Sequence, residues 1–121
     1  LRVADIVTLH MPHTPDTHEM VHAARIATMK PTATIINTAR GEVLDAAAVS
    51  SAIRDGRLGG AALDVFSPEP PVGDFPLLGF ENVLLTPHLA ARTFTAIENM
   101  SWVVRDVMAV LEGRAPRCPA P

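Results

Sequence analysis

The sequence predicts an α/β fold that is half of a doubly wound parallel sheet. Short apolar runs alternate with segments of helical periodicity, and the runs are apolar on both faces instead of alternating with polar residues. Each run also ends in turn-forming residues, beyond which an isolated polar side chain follows. Parallel strands linked by helices require right-handed crossovers, so the predicted order is β-α-β-α-β-loop-β-α.

The first strand is predicted at Ile6–Leu9, a β-branched apolar run that a proline-rich loop at residues 11–15 ends. A short helix is predicted over His22–Met29. It stops before Pro31, because proline cannot continue helical hydrogen bonding. The second strand is predicted at Thr32–Asn37.

The second helix is predicted to begin after Asp45, whose carboxylate can accept hydrogen bonds from the free amides of a first helical turn. Ala46, Val49 and Ile53 then recur at helical spacing, and Gly56 is a plausible end.

Two more strands are predicted, at Gly59–Phe66 and Asn82–Thr86. A single long helix is predicted over Thr95–Glu112, with capping-box spacing between Thr95 and Glu98. One apolar stripe follows this helix, formed by Ile97, Met100, Val104, Val107, Met108 and Leu111. An extended proline-rich tail, residues 113–121, is predicted to follow.

Composition excludes several classes of function. The chain has 121 residues and a formal charge of −3, so it is long enough for one modest domain and too weakly charged to suggest a nucleic-acid surface. No apolar run is long enough to span a membrane, and Cys118 has no partner for a disulfide. No pair of histidines has convincing metal-ligand spacing, so no metal is predicted. A soluble protein of a reducing compartment is expected.

Arg40, Glu69 and His88 are the candidate catalytic residues, because each lies just beyond the end of a predicted strand. The carboxyl ends of parallel strands meet at one edge of a sheet, where ligands bind. A guanidinium matches a carboxylate with two hydrogen bonds, and imidazole can give or take a proton near neutral pH. A neighbouring carboxylate would hold the imidazole in one tautomer and favour its charged form. The set suits a carbonyl or hydroxyl substrate that bears a carboxylate.

Each residue also has a plain structural interpretation. Arg40 alone could be a surface charge, Glu69 a solvated loop residue, and His88 a cap for the segment that follows. Asp64 lies inside an apolar strand, where an unpartnered carboxylate would be costly. It is expected to accept a hydrogen bond from a ligand at the mouth of the sheet, and the alternative is that it caps a neighbouring loop.

Four segments carry a family resemblance: LHMPHTPDT, MKPTATIINTARGEVLD, GGAALDVFSPEPP and NVLLTPHLA. They resemble, in order and spacing, the successive motifs of the D-isomer-specific 2-hydroxyacid dehydrogenases, which include phosphoglycerate and glyoxylate/hydroxypyruvate reductase-like enzymes. The resemblance implies a Rossmann-like fold and an NAD(P)-dependent interconversion of a 2-keto acid and a D-2-hydroxy acid by hydride transfer.

The resemblance also implies residue roles. Arg40 would bind the carboxylate and carbonyl of the substrate, His88 would donate the proton, and Glu69 would orient His88. Asp64 would accept a hydrogen bond from the nicotinamide amide, and Gly41 would let the chain turn away from the cleft. The implied cofactor-binding residues are Met11, Pro12, Thr38, Ala39, Arg40, Asp64, His88, Leu89, Ala90 and Ala91.

The sequence departs from the family in what it lacks. A GxGxxG turn for the pyrophosphate is absent from the 121 residues, as are the acidic residue that reads the adenosine ribose and the substrate-binding domain. Residues 1–112 are therefore expected to be the C-terminal half of the NAD-binding domain. Residues 113–121 would lead back to the missing substrate domain. The isolated chain is not expected to turn over.

Several alternatives stay open at this point. The residue that distinguishes NAD from NADP would lie upstream, and most substrate-selecting side chains would lie in the missing domain. Arg92, where the family commonly has a small residue, could face solvent or favour a more acidic substrate. A non-catalytic, NAD(H)-sensing protein like the family's corepressors, or an inactive truncated gene product, is the alternative to an enzyme. By analogy alone, a cytoplasmic homodimer is expected.

Overall fold

Four short strands form one parallel sheet in a computed structural model, which describes residues 1–119. The strands lie side by side in chain order: β1 (Ile6–Leu9), β2 (Thr34–Asn37), β3 (Gly60–Leu63) and β4 (Val83–Leu85). Because every neighbouring pair is parallel, all four carboxyl ends lie at the same edge of the sheet. The predicted α/β class and the parallel sheet are confirmed. The strands are shorter than predicted.

The two central strands are the most buried. In β2, Ile35 and Asn37 are almost completely buried, and both face the core at alternate positions. The outer strands are open on one face, where Ile6 and Leu84 are each 63% exposed. The outer strands are therefore less covered than the two central strands.

The first two helices and a 3-10 turn connect these strands. The first helix, α1 (Ala23–Ile26), is shorter than predicted. The Met29 amide donates to the Ile26 carbonyl, three residues back instead of the four of an α-helix, so the chain continues in turns. A 3-10 turn at Gly41–Val43 leads into the second helix, α2 (Ala46–Arg54).

Both predicted ends of α2 are confirmed. The Asp45 carboxylate accepts a hydrogen bond of 2.9 Å from the Ala48 amide, and Gly56 follows the helix with a φ of +66°. That left-handed backbone conformation favours glycine, so the residue ends the helix at little cost.

Residues 1–88 form one compact unit with a single apolar core. The core is built from the inner faces of the strands, from both helices and from the loops that follow β3. Its largest completely buried apolar side chains are Ile26, Ile35, Val43, Val49, Leu58, Val65 and Leu77.

The second unit begins at Leu89 and contains two helices, α3 (Phe94–Ser101) and α4 (Val103–Leu111). The prediction of one continuous helix is wrong, because the helix breaks at Trp102. The Ser101 hydroxyl donates to the Glu98 carbonyl at 2.7 Å, and the Trp102 amide bonds three residues back instead of four.

The cap of α3 also differs from the prediction. The Thr93 hydroxyl accepts from the Ala96 amide at 3.1 Å, so the N-cap lies two residues before Thr95 and the helix begins at Phe94. The predicted apolar stripe exists as a pattern, but it is exposed in this unit, with Met100 64% and Leu111 76% exposed. No helix within residues 1–119 is both long and apolar enough to cross a membrane.

The tail is not simply extended. The Asp106 carboxylate accepts hydrogen bonds of 2.9 and 3.1 Å from the amides of Arg117 and Cys118, so these residues return to α4. The last two residues of the predicted tail lie outside the described residues.

Candidate active site

The loops that leave the carboxyl ends of β2, β3 and β4 carry the three predicted catalytic residues. Arg40 lies three residues beyond β2, Glu69 lies in the loop after β3, and His88 lies three residues beyond β4. The parallel register places all three loops at the same edge of the sheet. This arrangement is what the strand-end pattern of the sequence predicts.

Glu69 and His88 are in direct contact. The Glu69 Oε1 atom lies 2.7 Å from His88 Nδ1, and the two side chains are 39% and 44% exposed. His88 adopts a φ of +53°, which is uncommon for a residue with a side chain. The loop therefore holds His88 in an unusual backbone conformation. Its imidazole lies against a carboxylate and is partly exposed to solvent.

Arg40 lies at the same edge but forms a different contact. Its Nη1 atom donates to the Ala39 carbonyl at 2.6 Å, and the residue is exposed. Within residues 1–119, no hydrogen bond or ion pair joins the guanidinium to Glu69 or His88. The structure thus brings two of the three predicted residues into contact and places the third on a neighbouring loop.

Gly41 is where the Arg40 loop and the Glu69 loop touch. A methyl group at Gly41 would lie 2.5 Å from the Ser67 nitrogen, and closer still to the Phe66 carbonyl carbon and oxygen. Gly41 does not have a positive φ. The need for glycine is therefore not the turn expected from the sequence but the close approach of a second backbone.

Asn37 is a site residue that the sequence analysis missed. It is 1% exposed and is one of three buried polar or charged residues among those described. Its amide nitrogen Nδ2 donates to the Arg40 carbonyl at 2.9 Å, and its Oδ1 accepts from the Ala39 amide at 3.0 Å. An asparagine at the last position of an apolar strand was the available signal, because such a side chain needs partners when buried.

Asp64 is buried, 5% exposed, at the end of β3. Its carboxylate accepts a hydrogen bond from the hydroxyl of Thr86. Thr86 is the first residue of the loop that carries His88. This contact corresponds to the second of the two predicted interpretations, a cap on a neighbouring loop. The predicted role toward nicotinamide stays a prediction, and Thr86 is another residue that the sequence analysis missed.

The remaining predicted cofactor residues divide between the two units. Met11 and Thr38 are half-buried, and Pro12 is exposed with its carbonyl bonded to the Thr17 hydroxyl at 2.8 Å. Ala39 is 8% exposed, and its amide and carbonyl are bonded as described above. The predicted residues of the second unit are exposed: Leu89, Ala90 and Ala91.

The candidate site also has an apolar wall. Glu69 borders a groove of about 460 Å³, whose other sides include Pro70, Leu78 and Leu85. No group of three or more histidine, cysteine or acidic side chains among residues 1–119 is arranged to hold a metal ion. The candidate catalytic groups at this edge are the Arg40 guanidinium, the His88 imidazole and the Glu69 carboxylate.

A parallel α/β sheet with polar side chains at its carboxyl edge is typical of nucleotide-binding proteins of the doubly wound class. The family model of the D-isomer-specific 2-hydroxyacid dehydrogenase NAD-binding domain matches residues 1–90. The chain belongs to this family.

Curated relatives and solved structures agree with the match. The chain is 44% identical over 117 residues to the glyoxylate reductase of Thermofilum pendens, covering 96% of this chain and 34% of that protein. It is 47% identical over 116 residues to the D-3-phosphoglycerate dehydrogenase of Synechocystis, covering 93% of this chain and 21% of that protein. The chain thus spans about a third or less of these relatives.

Solved structures share the backbone. The crystal structure of D-lactate dehydrogenase with NAD+ from Lactobacillus jensenii has a TM-score of 0.89 and 31% identity, covering 100% of this chain and 41% of that chain. An NADPH-dependent glyoxylate/hydroxypyruvate reductase from Sinorhizobium meliloti, in complex with NADP and malonate, has a TM-score of 0.88 and 32% identity. That match covers 98% of this chain and 37% of that chain.

Proposed function

We propose that this chain is the C-terminal half of the NAD-binding domain of an oxidoreductase that interconverts a 2-keto acid and a D-2-hydroxy acid. The observation that carries the proposal is the Glu69–His88 contact of 2.7 Å at the carboxyl edge of the sheet, one loop away from Arg40. Residues 1–112 belong to the domain, and residues 113–121 lead toward a substrate domain. The complete enzyme is called the two-domain protein below.

His88 is proposed to be the proton donor and acceptor, with Glu69 as its orienting partner. A carboxylate only accepts hydrogen bonds, so in this pair Nδ1 carries the hydrogen. Nε2 is then the nitrogen that exchanges a proton with the substrate oxygen. The imidazolium is the form that donates a proton when the keto acid is reduced.

Arg40 is proposed to bind the substrate carboxylate. One of its terminal nitrogens is bonded to the Ala39 carbonyl, and within residues 1–119 the guanidinium makes no other hydrogen bond. That single bond fixes the direction of the planar group and leaves its other N–H groups for a two-pronged match to a carboxylate. The substrate would thus be anchored at its carboxylate while His88 acts on the neighbouring oxygen.

The residues present fit the nicotinamide half of a dinucleotide. Small residues follow β2, and a buried carboxylate, Asp64, follows β3, so the edge has a hydrogen-bond acceptor close to small side chains. Bound NAD or NADP would supply or accept the hydride. Thr38, Ala39, Met11 and Pro12 would line the ribose. No glycine-rich turn for a pyrophosphate exists among the 121 residues, so we expect weak cofactor binding and no turnover by this chain alone.

The partners and setting follow from the same proposal. We expect a small 2-keto or 2-hydroxy acid as substrate and a homodimer as the two-domain protein, located in the cytoplasm. A formal charge of −3 gives no reason to expect nucleic acid as a partner. Light scattering coupled to size-exclusion chromatography would measure the oligomeric state directly.

The test is steady-state reduction of glyoxylate, hydroxypyruvate and pyruvate by the two-domain protein with NADH and NADPH. His88→Ala should lower kcat by about 100- to 10,000-fold, the usual value of a positioned acid or base. Arg40→Ala should raise KM strongly, and Arg40→Lys should recover only part of the loss, because an ammonium cannot make the two-pronged contact.

The matched control is His22→Ala. His22 is exposed and makes no side-chain cap for α1, so its removal should leave kcat and KM unchanged. Parent-like rates in both His88→Ala and Arg40→Ala would refute the assigned roles. An absence of turnover by the two-domain protein, with NADH affinity intact, would favour a non-catalytic NAD(H) sensor.

A further inference from the structure

A run of hydrogen bonds crosses the carboxyl ends of β2, β3 and β4 beneath the candidate catalytic residues. It begins at the buried side chain of Asn37, which donates to the Arg40 carbonyl at 2.9 Å and accepts from the Ala39 amide at 3.0 Å. The Arg40 backbone is thereby fixed by a side chain from the last position of β2. Two residues of this run, Asn37 and Thr86, were not predicted to belong to the site.

The run continues from β2 to β3 through the backbone. The Asp64 amide donates to the Asn37 carbonyl at 2.9 Å, directly beyond the last paired residues of the two strands, Asn37 and Leu63. The side chain of Asn37 therefore binds the Arg40 loop, while its backbone carbonyl accepts a hydrogen bond from the residue that follows β3. A displacement of Asn37 would therefore move both the Arg40 loop and the end of β3.

The final links join β3 to the loop that carries His88. The Asp64 carboxylate accepts from the Thr86 hydroxyl, and the Thr86 amide donates to the Leu63 carbonyl at 2.9 Å. The Thr86 carbonyl then accepts from the His88 amide at 3.0 Å. This last bond closes a three-residue turn centred on Pro87, and it fixes the amide of His88, whose φ is +53°.

We propose that Asn37 and Thr86 are positioning residues that hold Arg40 and His88 in a fixed relation across the sheet. The inference rests on the proposed function, in which Arg40 holds the substrate carboxylate and His88 acts on the adjacent oxygen. Both side chains must contact the same small substrate, and a misplacement of about 1 Å can lower the rate on the order of 100-fold. Bonds from rigid strand ends supply that precision better than the exposed loops themselves.

Three variants separate positioning from simple stability. Asn37→Asp keeps the acceptor for the Ala39 amide but replaces the donor to the Arg40 carbonyl with an oxygen. Thr86→Val has the same shape without the hydroxyl, and Thr86→Ser restores it. Asn82→Asp is the matched control, because Asn82 donates to the Gly59 carbonyl at 2.8 Å at the opposite end of the sheet.

In the two-domain protein, Asn37→Asp should raise KM for the keto acid at least tenfold, since Arg40 is displaced. Thr86→Val should instead lower kcat at least tenfold, and Thr86→Ser should recover most of it. Asn82→Asp should change neither. Equal losses of kcat in Asn37→Asp, Thr86→Val and Asn82→Asp, in proportion to the folded fraction, would overturn the proposal, because they would indicate destabilisation only.

A second measurement does not depend on turnover. Amide hydrogen exchange in the 121-residue chain should show a protected Ala39 amide that Asn37→Asp retains and Asn37→Ala exposes. Unchanged protection in Asn37→Ala would overturn the assignment of Asn37, whatever the enzyme assays show. A parent two-domain protein that reduces no keto acid, together with the expected exchange pattern, would refute the proposed function and leave the Asn37 contact established.

Discussion

Gly41→Ala is the substitution for which the structure gives the most direct prediction. The added methyl group would lie 2.5 Å from the Ser67 nitrogen and closer still to the Phe66 carbonyl group. Contacts of a Cβ atom under 3.0 Å essentially never occur, and all three neighbouring atoms belong to the backbone, so no side chain can rotate away. One of the two loops must move by about 1 Å or more.

The cost can be estimated from that displacement. Overpacking of a well-packed region costs about 1–3 kcal/mol of unfolding free energy, which corresponds to a urea midpoint lower by roughly 1 M. The same movement separates the Arg40 loop from the Glu69 loop. A loss of about 100-fold in kcat/KM, or ~2.7 kcal/mol of transition-state stabilisation, is therefore expected in the two-domain protein.

Urea unfolding of the 121-residue chain measures the first effect, and steady-state reduction of a keto acid by the two-domain protein measures the second. Gly73→Ala is the matched control. No atom lies within 4 Å of the methyl group that it adds, and its φ is not positive, so it should be neutral or stabilising by a few tenths of a kcal/mol. Equal midpoints for Gly41→Ala and Gly73→Ala would refute the close-approach explanation.

Two further predictions concern stability and titration. Ile35→Ala removes a side chain that is 0% exposed and should cost about 2–5 kcal/mol in urea unfolding, whereas Ile6→Ala, at a position 63% exposed, should cost much less. Equal costs would contradict the burial pattern of the sheet. The Arg57 side chain, by hydrogen bonding, lowers the pKa of Asp55, so Arg57→Gln should move the NMR titration of Asp55 to higher pH. Arg54→Gln should move it less, because the charge of Arg54 lowers the pKa of Asp55 less than Arg57 does. Since the pKa is lowered in the folded chain, the associated stability exists above pH 3.8 and is lost as the pH falls through the folded-state pKa.

Local sequence signals predicted the first unit well. A β-branched run, a helix N-cap and a terminal glycine each act within a few residues, so Ile6–Leu9, Asp45 and Gly56 could be assigned without a structure. The long helix was predicted wrongly because the break at Trp102 depends on a competing hydrogen bond from Ser101. Residue spacing alone does not show that bond.

The candidate site was predicted in part. Parallel strands bring their carboxyl ends together, so a polar residue after each strand was a usable signal, and Glu69 and His88 are in contact. Asn37 and Thr86 were missed, because their importance comes from partners on other strands. Asp64 could be singled out from the sequence, because it is a lone carboxylate among apolar residues. Its partner Thr86, 22 residues away along the chain, could not be identified.

The sequence by itself determined which segments of residues 1–88 form strands and helices, which edge of the sheet carries polar side chains, and which family the chain resembles. These properties follow from periodicity, capping and motif order, which are local. Only the tertiary structure decided which side chains meet. Gly41 is required by a backbone that is distant along the chain, and Asn37 is held between two strands. Close packing and hydrogen-bond geometry are properties of atoms in space, so they become definite only when the sheet is assembled.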